Sequence, residues 1–120
     1  MKQKLAVNDI YIEKILMDWR YRVKSDGTLW TRISLNGKGL MPNGKWRKCG
    51  KKNCYGYNRY QPRFNGKKVD IKIHRLIYAA YKGPLKQDMV VNHIDGNRLN
   101  NSPLNLELVT WEYNCKYRSD

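Results

Sequence analysis

The sequence predicts a small mixed α+β fold, with β-hairpins first and a strand–loop–strand–helix unit closing the chain. Three observations carry this reading. Ser25-Asp26-Gly27 and Asn65-Gly66 are turn signals set between β-prone runs. The stretch HRLIYAAYK, from His74, takes helical spacing and stops at Gly83-Pro84. MVVNHID and LELVT read as short strands on either side of an asparagine-rich loop. A length of 120 residues suits one compact domain. Within it a β-rich basic region, 1–73, is expected to precede the closing unit at 74–120.

Residues 8–18 are expected to form a helix capped by Asn8, with Tyr11, Ile12, Ile15, Leu16 and Trp19 at helical spacing. YRVK and TLWTRI then make the first hairpin. The segment 35–45, LNGKGLMPNGK, has the glycine, proline and Asn-Gly content of a loop. A second hairpin joins YNRYQPRF to KKVDIKI, and Pro62 confines the first of these strands to an edge or a bulge. In the following helix the pairs Leu76/Ala80 and Ile77/Tyr81 define an inner face. At the end of the chain Thr110 is placed to cap a helix over Trp111–Arg118.

Charge points to a polyanionic partner. The chain has 24 Lys+Arg against 10 Asp+Glu, a formal net charge of +14. Lys45, Arg47, Lys48, Lys51, Lys52, Arg59, Arg63, Lys67, Lys68, Lys72 and Arg75 face a single acid in that stretch, Asp70, with five aromatics interleaved. Cations on a twisted two-stranded ribbon neutralise phosphates and fit a major groove, so nucleic acid is the expected partner. No apolar run approaches the ~20 residues of a membrane span, and no amphipathic basic helix offers a membrane surface. The segment MKQKLAVNDIY has neither a continuous apolar core nor a small-residue cleavage site, so no secretory leader is expected. Cys49, Cys54 and Cys115 then read as free thiols in a reducing cytoplasm.

The chemistry is expected in the last unit. His93 ends a strand, Asn105 lies at the exit of the loop, and Asn114 is one turn into the last helix. A helix folded across two short strands brings His93 and Asn114 towards one cleft. Phosphodiester hydrolysis needs a base for water and a cation for the leaving oxygen, which a histidine and neighbouring side-chain oxygens can supply. From spacing alone, a structural histidine and turn-closing asparagines are the commoner reading.

The block VNHIDGNRLNNSPLNLELVTWEYN (91–114), with HRLIYAAYKGPL (74–85) before it, resembles the HNH endonucleases, specifically their phage and intron-associated homing type. YRVKSDGTLWTR (21–32) is similar to a β segment these proteins often carry upstream. The resemblance implies a ββα-metal unit acting on double-stranded DNA with one divalent ion, Mg²⁺ or Mn²⁺. Position by position it makes His93 the general base, Asn105 the residue that holds the loop and orients the base, and Asn92 and Asn114 the metal ligands. The family's residue at position 92 is often Asp, and here it is neutral. Asp95 is the nearby acid, but Asp95-Gly96 reads as a turn. Arg98 and Arg75 are candidate phosphate contacts beside the cleft, and His74 is expected to cap and pack its helix start.

Structural zinc is not expected: Cys49 and Cys54 form a C-x4-C pair, but Cys115 has no second partner to complete a four-sulfur site. The reading is a monomeric, cytoplasmic, metal-dependent HNH DNA endonuclease. The alternatives are a non-catalytic DNA-binding protein on the same scaffold and an RNA-binding accessory.

Overall fold

The computed structural model describes residues 9–35, 39–86 and 89–117. Helix α1, Asp9–Leu16, buries Ile12 and Ile15 and ends before Trp19, which is 66% exposed and takes no part in the helical face expected of it. The expected Asn8 cap lies outside the described residues. The first hairpin forms as read, with β1 (Tyr21–Val23) antiparallel to β2 (Leu29–Thr31). A strand that the sequence reading passed over, β3 (Arg47–Lys48), extends it into a three-stranded sheet.

The second hairpin is built in two stages. Asn65 (φ 52) and Gly66 (φ 78) are both left-handed, the geometry of a tight two-residue turn, and join β6 (Arg63–Phe64) to β7 (Lys67–Lys68). Pro62 interrupts the ribbon there, since it has no N–H to donate. Its carbonyl accepts the Val69 N–H at 2.9 Å. Beyond the break, β5 (Asn58–Tyr60) pairs with β8 (Ile71–Lys72) on one side and with β4 (Lys51–Lys52) on the other.

Helix α2, Ile73–Tyr81, follows β8 without a loop. Its buried residues are Ile73, His74, Leu76 and Ile77, whereas Ala80 and Tyr81 are exposed. The inner face therefore lies one turn earlier than the expected i/i+4 pairs, because the N-terminal half packs on the sheets and the C-terminal half leaves them. Strands β9 (Met89–His93) and β10 (Leu106–Thr110) pair antiparallel, and α3 (Trp111–Tyr117) packs back across both. Thr110 caps α3 as expected, its Oγ1 accepting the Tyr113 N–H at 3.1 Å. One apolar core spans these pieces: Ile12, Ile15, Leu29, Ile71, Ile73, Leu76, Ile77, Val91 and Leu106, with Cys49 and Val69. Among the described residues no helix is long and apolar enough to cross a membrane.

Gly27, at the tip of the first hairpin, touches the last unit directly. Its φ is +87°, and a Cβ there would stand 2.2 Å from the backbone carbonyl of Asn101. Gly66 has a similar φ, but a Cβ there meets nothing within 4 Å. Gly66→Ala should therefore cost only the left-handed strain, about 1 kcal/mol, and Gly27→Ala distinctly more, about 2 kcal/mol or above. Urea unfolding midpoints of the two variants check this; equal losses would remove the proposed contact between hairpin tip and loop.

Candidate active site

Register places the site. His93 is opposite Leu106 and Asn92 is opposite Glu107. Successive strand residues face opposite sides, so Asn92 meets Glu107 while His93 turns towards α2. The His93 ring is fully buried, with Nε2 2.7 Å from Asn101 Oδ1. A carboxamide oxygen only accepts, so Nε2 carries a proton in this contact. Asn101 went unassigned in the sequence reading, where it was one asparagine among four.

His74 is the second residue of α2 and makes no cap: the helix begins at Ile73 without a side-chain capping bond. Its ring instead lies 4.8 Å from His93, centroid to centroid, and stacks on Tyr57 at 5.2 Å and 23°. Tyr57 is also 5.9 Å from the His93 ring. His74 Nδ1 is buried without a hydrogen-bond partner. Burial first, then the neighbouring His93, Arg75 and Lys72, hold the His74 pKa well below the usual imidazole range, so this ring is neutral at neutral pH.

The loop between the strands is closed by side chains. Asn105, in the tight turn Pro103–Asn105, accepts the Asp95 N–H on Oδ1 at 3.0 Å and donates Nδ2 to Asp95 Oδ1 and to the Asn100 carbonyl, both at 2.9 Å. Asp95 also accepts from the Asn97 N–H (2.8 Å) and from Asn100 Nδ2 (2.9 Å). Hydrogen bonds from Asn100, Asn97 and Asn105 hold its carboxyl below the ordinary carboxylate range. Gly96 donates to the His93 carbonyl at 2.9 Å, closing a turn across Asp95.

Two carboxamide oxygens, Asn92 Oδ1 and Asn114 Oδ1, are buried without a hydrogen-bond partner. The orientation at Asn92 is set by its nitrogen, which donates to Glu107 Oε1 at 2.9 Å. Unpaired buried oxygens are costly. As hard, neutral donors they fit Mg²⁺ or Mn²⁺, whose shell water and phosphate complete. Among the described residues no group of three or more His, Cys, Asp or Glu is placed to hold a metal. Cys49 is buried in the core, which pushes its thiol up to about 11, whereas Cys54 and Cys115 are exposed.

The basic residues divide into two kinds. Lys45, Lys48, Lys51, Lys52, Lys67 and Lys68 are exposed. The arginines are engaged within the chain: Arg47 donates to the Ile33 and Ser34 carbonyls, Arg63 to the Gly66 carbonyl, and Arg59 lies 3.9 Å from Asp70. Arg98 donates to the Tyr55 carbonyl and lies over the Tyr57 ring, 4.8 Å from its centroid. Arg75 is half-buried on α2. The sequence reading missed a further cationic face on the first sheet, where Arg22 and Arg32 flank Trp46 at 4.7 and 4.5 Å and Lys24 lies over Trp30 at 4.1 Å. Arg22, Lys24 and Arg32 around Trp30 were its only local signal.

Comparison with known proteins falls on this same unit. Residues 72–116 match the HNH endonuclease family model. The YosQ protein of Bacillus subtilis (strain 168), named as an SPbeta prophage-derived HNH homing endonuclease, is 50% identical over 38 residues, 32% of this chain and 22% of its own length. An HNH endonuclease of Acanthamoeba polyphaga mimivirus is 36% identical over 53 residues, 44% of this chain and 16% of its own. This chain therefore spans under a quarter of either relative. The solved structure of the HNH homing endonuclease I-HmuI, described for DNA binding and cleavage, shares the fold with a TM-score of 0.66 at 24% identity, over 97% of this chain and 56% of that one. The strand–loop–strand–helix that carries His93, Asn105, Asn92 and Asn114 thus lies within the stretch of this chain, residues 72–116, that is similar to the HNH endonucleases.

Proposed function

We propose that the protein is a metal-dependent DNA endonuclease in which region 1–73 grips duplex DNA and the HNH unit at 74–120 hydrolyses a phosphodiester bond. The observation that carries this reading is an oriented histidine with two unpaired, buried carboxamide oxygens, one on the residue before it in β9 and one on α3. His93 takes a proton from water, which attacks the phosphorus in line as the bond to the 3′ oxygen breaks. Asn101 holds the ring tautomer that leaves Nδ1 as acceptor, and Asn105 keeps the loop carrying Asn101 closed. Asn92 and Asn114 would hold a divalent ion, which when bound would supply positive charge to stabilise the transition state at the scissile phosphate. The exposed lysines of the hairpins and of the 45–52 segment provide the phosphate contacts, with Arg75 and Arg98 beside the cleft. The chain acts as a monomer in the cytoplasm of the cell that makes it.

Nicking of supercoiled plasmid in Mg²⁺ or Mn²⁺, with a chelator control, tests the proposal. His93→Ala should lower the rate by roughly a hundred- to ten-thousand-fold while DNA affinity is kept. An active His93→Ala variant rejects the base assignment, and a wild type that binds DNA without cutting it establishes the non-catalytic binder instead.

The metal has its own readout. Asn114→Ala and Glu107→Gln should each raise the Mn²⁺ concentration needed for half-maximal binding by about 10- to 100-fold, the first by removing a ligand and the second by removing the charge that polarises the Asn92 amide. Calorimetry with Mn²⁺ alone measures this; unchanged binding in both variants points to other ligands.

Lys51→Gln combined with Lys52→Gln should weaken binding to all duplex sequences alike. It should also reduce the slope of log K against log salt by about 2 if each lysine neutralises one phosphate. A salt series by fluorescence anisotropy decides it, and an unchanged slope places the DNA on another face.

A further inference from the structure

We propose that Tyr57, which lies outside the matched unit at 72–116, is a positioning residue for His93, fixing the plane of its ring directly and through His74. The inference rests on the assignment of His93 as base.

The argument begins with what an imidazole needs. Its χ2 torsion is broad and roughly two-fold, so backbone placement alone does not select a ring orientation. The bond to Asn101 fixes one nitrogen of His93. The faces are set by aromatic neighbours: His74 at 4.8 Å and 45°, Tyr57 at 5.9 Å and 38°. Tyr57 touches both histidines and stacks nearly flat on His74. His74 is 5% exposed, so its own orientation is a matter of packing, and Tyr57 supplies a large rigid face.

Tyr57 is itself held from both directions. Asn53 Oδ1 accepts the Tyr55 and Tyr57 N–H groups at 2.9 and 3.0 Å, and the Tyr57 carbonyl accepts the Asn53 N–H at 2.7 Å. Gly56, at φ +88°, lets this turn close, and a Cβ there would meet the Arg98 side chain at 3.7 Å. From the loop side, Arg98 donates to the Tyr55 carbonyl and covers the Tyr57 ring. The turn between β4 and β5 is thereby clipped to the loop that carries Asn101. The two supports of His93, one polar and one aromatic, are thus tied to each other by a single arginine.

Tyr57→Phe keeps the ring, and Tyr57→Leu keeps apolar bulk without it. Phe should hold kcat within about threefold of wild type, and Leu should lower kcat roughly 10- to 100-fold with the Kd for DNA unchanged. Where Leu unfolds the chain, Tyr57→Met replaces it in the same comparison. The chain has only two histidines, so histidine-selective ¹⁵N labelling reads both rings without any nicking assay. The wild type and Tyr57→Phe should show His93 as the single Nε2–H tautomer, and Leu or Met a mixture. Wild-type kcat in the ringless variant, or mixed His93 tautomers in the wild type, overturns the proposal. A wild type that never nicks overturns the nuclease reading alone, and the tautomer comparison still decides the role of Tyr57.

Discussion

The carboxamide of Asn105 closes the loop on which the rest of the site depends. With one side chain it fills three hydrogen-bonding positions, two on Asp95 and one on the Asn100 carbonyl, while its backbone carbonyl accepts the Ile94 N–H at 2.8 Å. No metal or disulfide is needed for this closure, and its energy resides in bonds that include an ionised carboxylate. The depressed pKa of Asp95 sets the direction of the pH dependence. Its contribution is present above the unfolded carboxylate value and is lost as pH falls through the lower folded one. Everything further in, including Asn101 behind the His93 ring, hangs from this knot.

The chain carries a net charge of +14, and the fold puts its cations to two uses. Arginine and lysine are used differently. Arg47, Arg63 and Arg98 spend their planar donors on backbone carbonyls and act as staples between segments, in keeping with a rigid, forked, always-charged group. Lysines 45, 48, 51, 52, 67 and 68 stand exposed on the hairpins and the 45–52 segment, where a flexible point charge suits a phosphate backbone. The His93 ring itself is bordered by Asn101, His74 and Tyr57.

Local chemistry made much of this legible in the sequence. Asn65-Gly66 names its own turn, Gly83 a helix stop and Thr110 a cap, because each acts within a few residues. The asparagine-rich loop was readable for the same reason, since short amides bond to nearby main chain. What failed was decided at a distance. The two-residue strands β3 and β4 exist because the neighbouring strands accept them, and nothing in Arg47–Lys48 or Lys51–Lys52 announces a strand. Trp19 fitted a helical period that the helix does not reach, and Ala80 and Tyr81 continued a period on a turn that leaves the core. Tyr57 and Asn101 escaped notice because their meaning lies in partners 36 and 8 positions away. His74 packs at its helix start as expected but makes no cap, since the sequence does not say which way a buried ring turns.

Asn92 is the residue whose chemistry looks least suited to a cation, and the register explains its identity. Directly across the ladder is Glu107. An aspartate at 92 would set two carboxylates opposite each other on one face, an arrangement that destabilises a strand pair. Asparagine removes that repulsion and turns the pair into a bond, donating Nδ2 to Glu107 Oε1. The same bond commits the amide's orientation, so its oxygen is the atom left buried and unpaired. For the proposed metal site, the negative charge missing from position 92 therefore stands one residue further out, on Glu107. There it would polarise the amide and raise the donor strength of Oδ1 towards a bound cation, the way outer groups tune metal ligands.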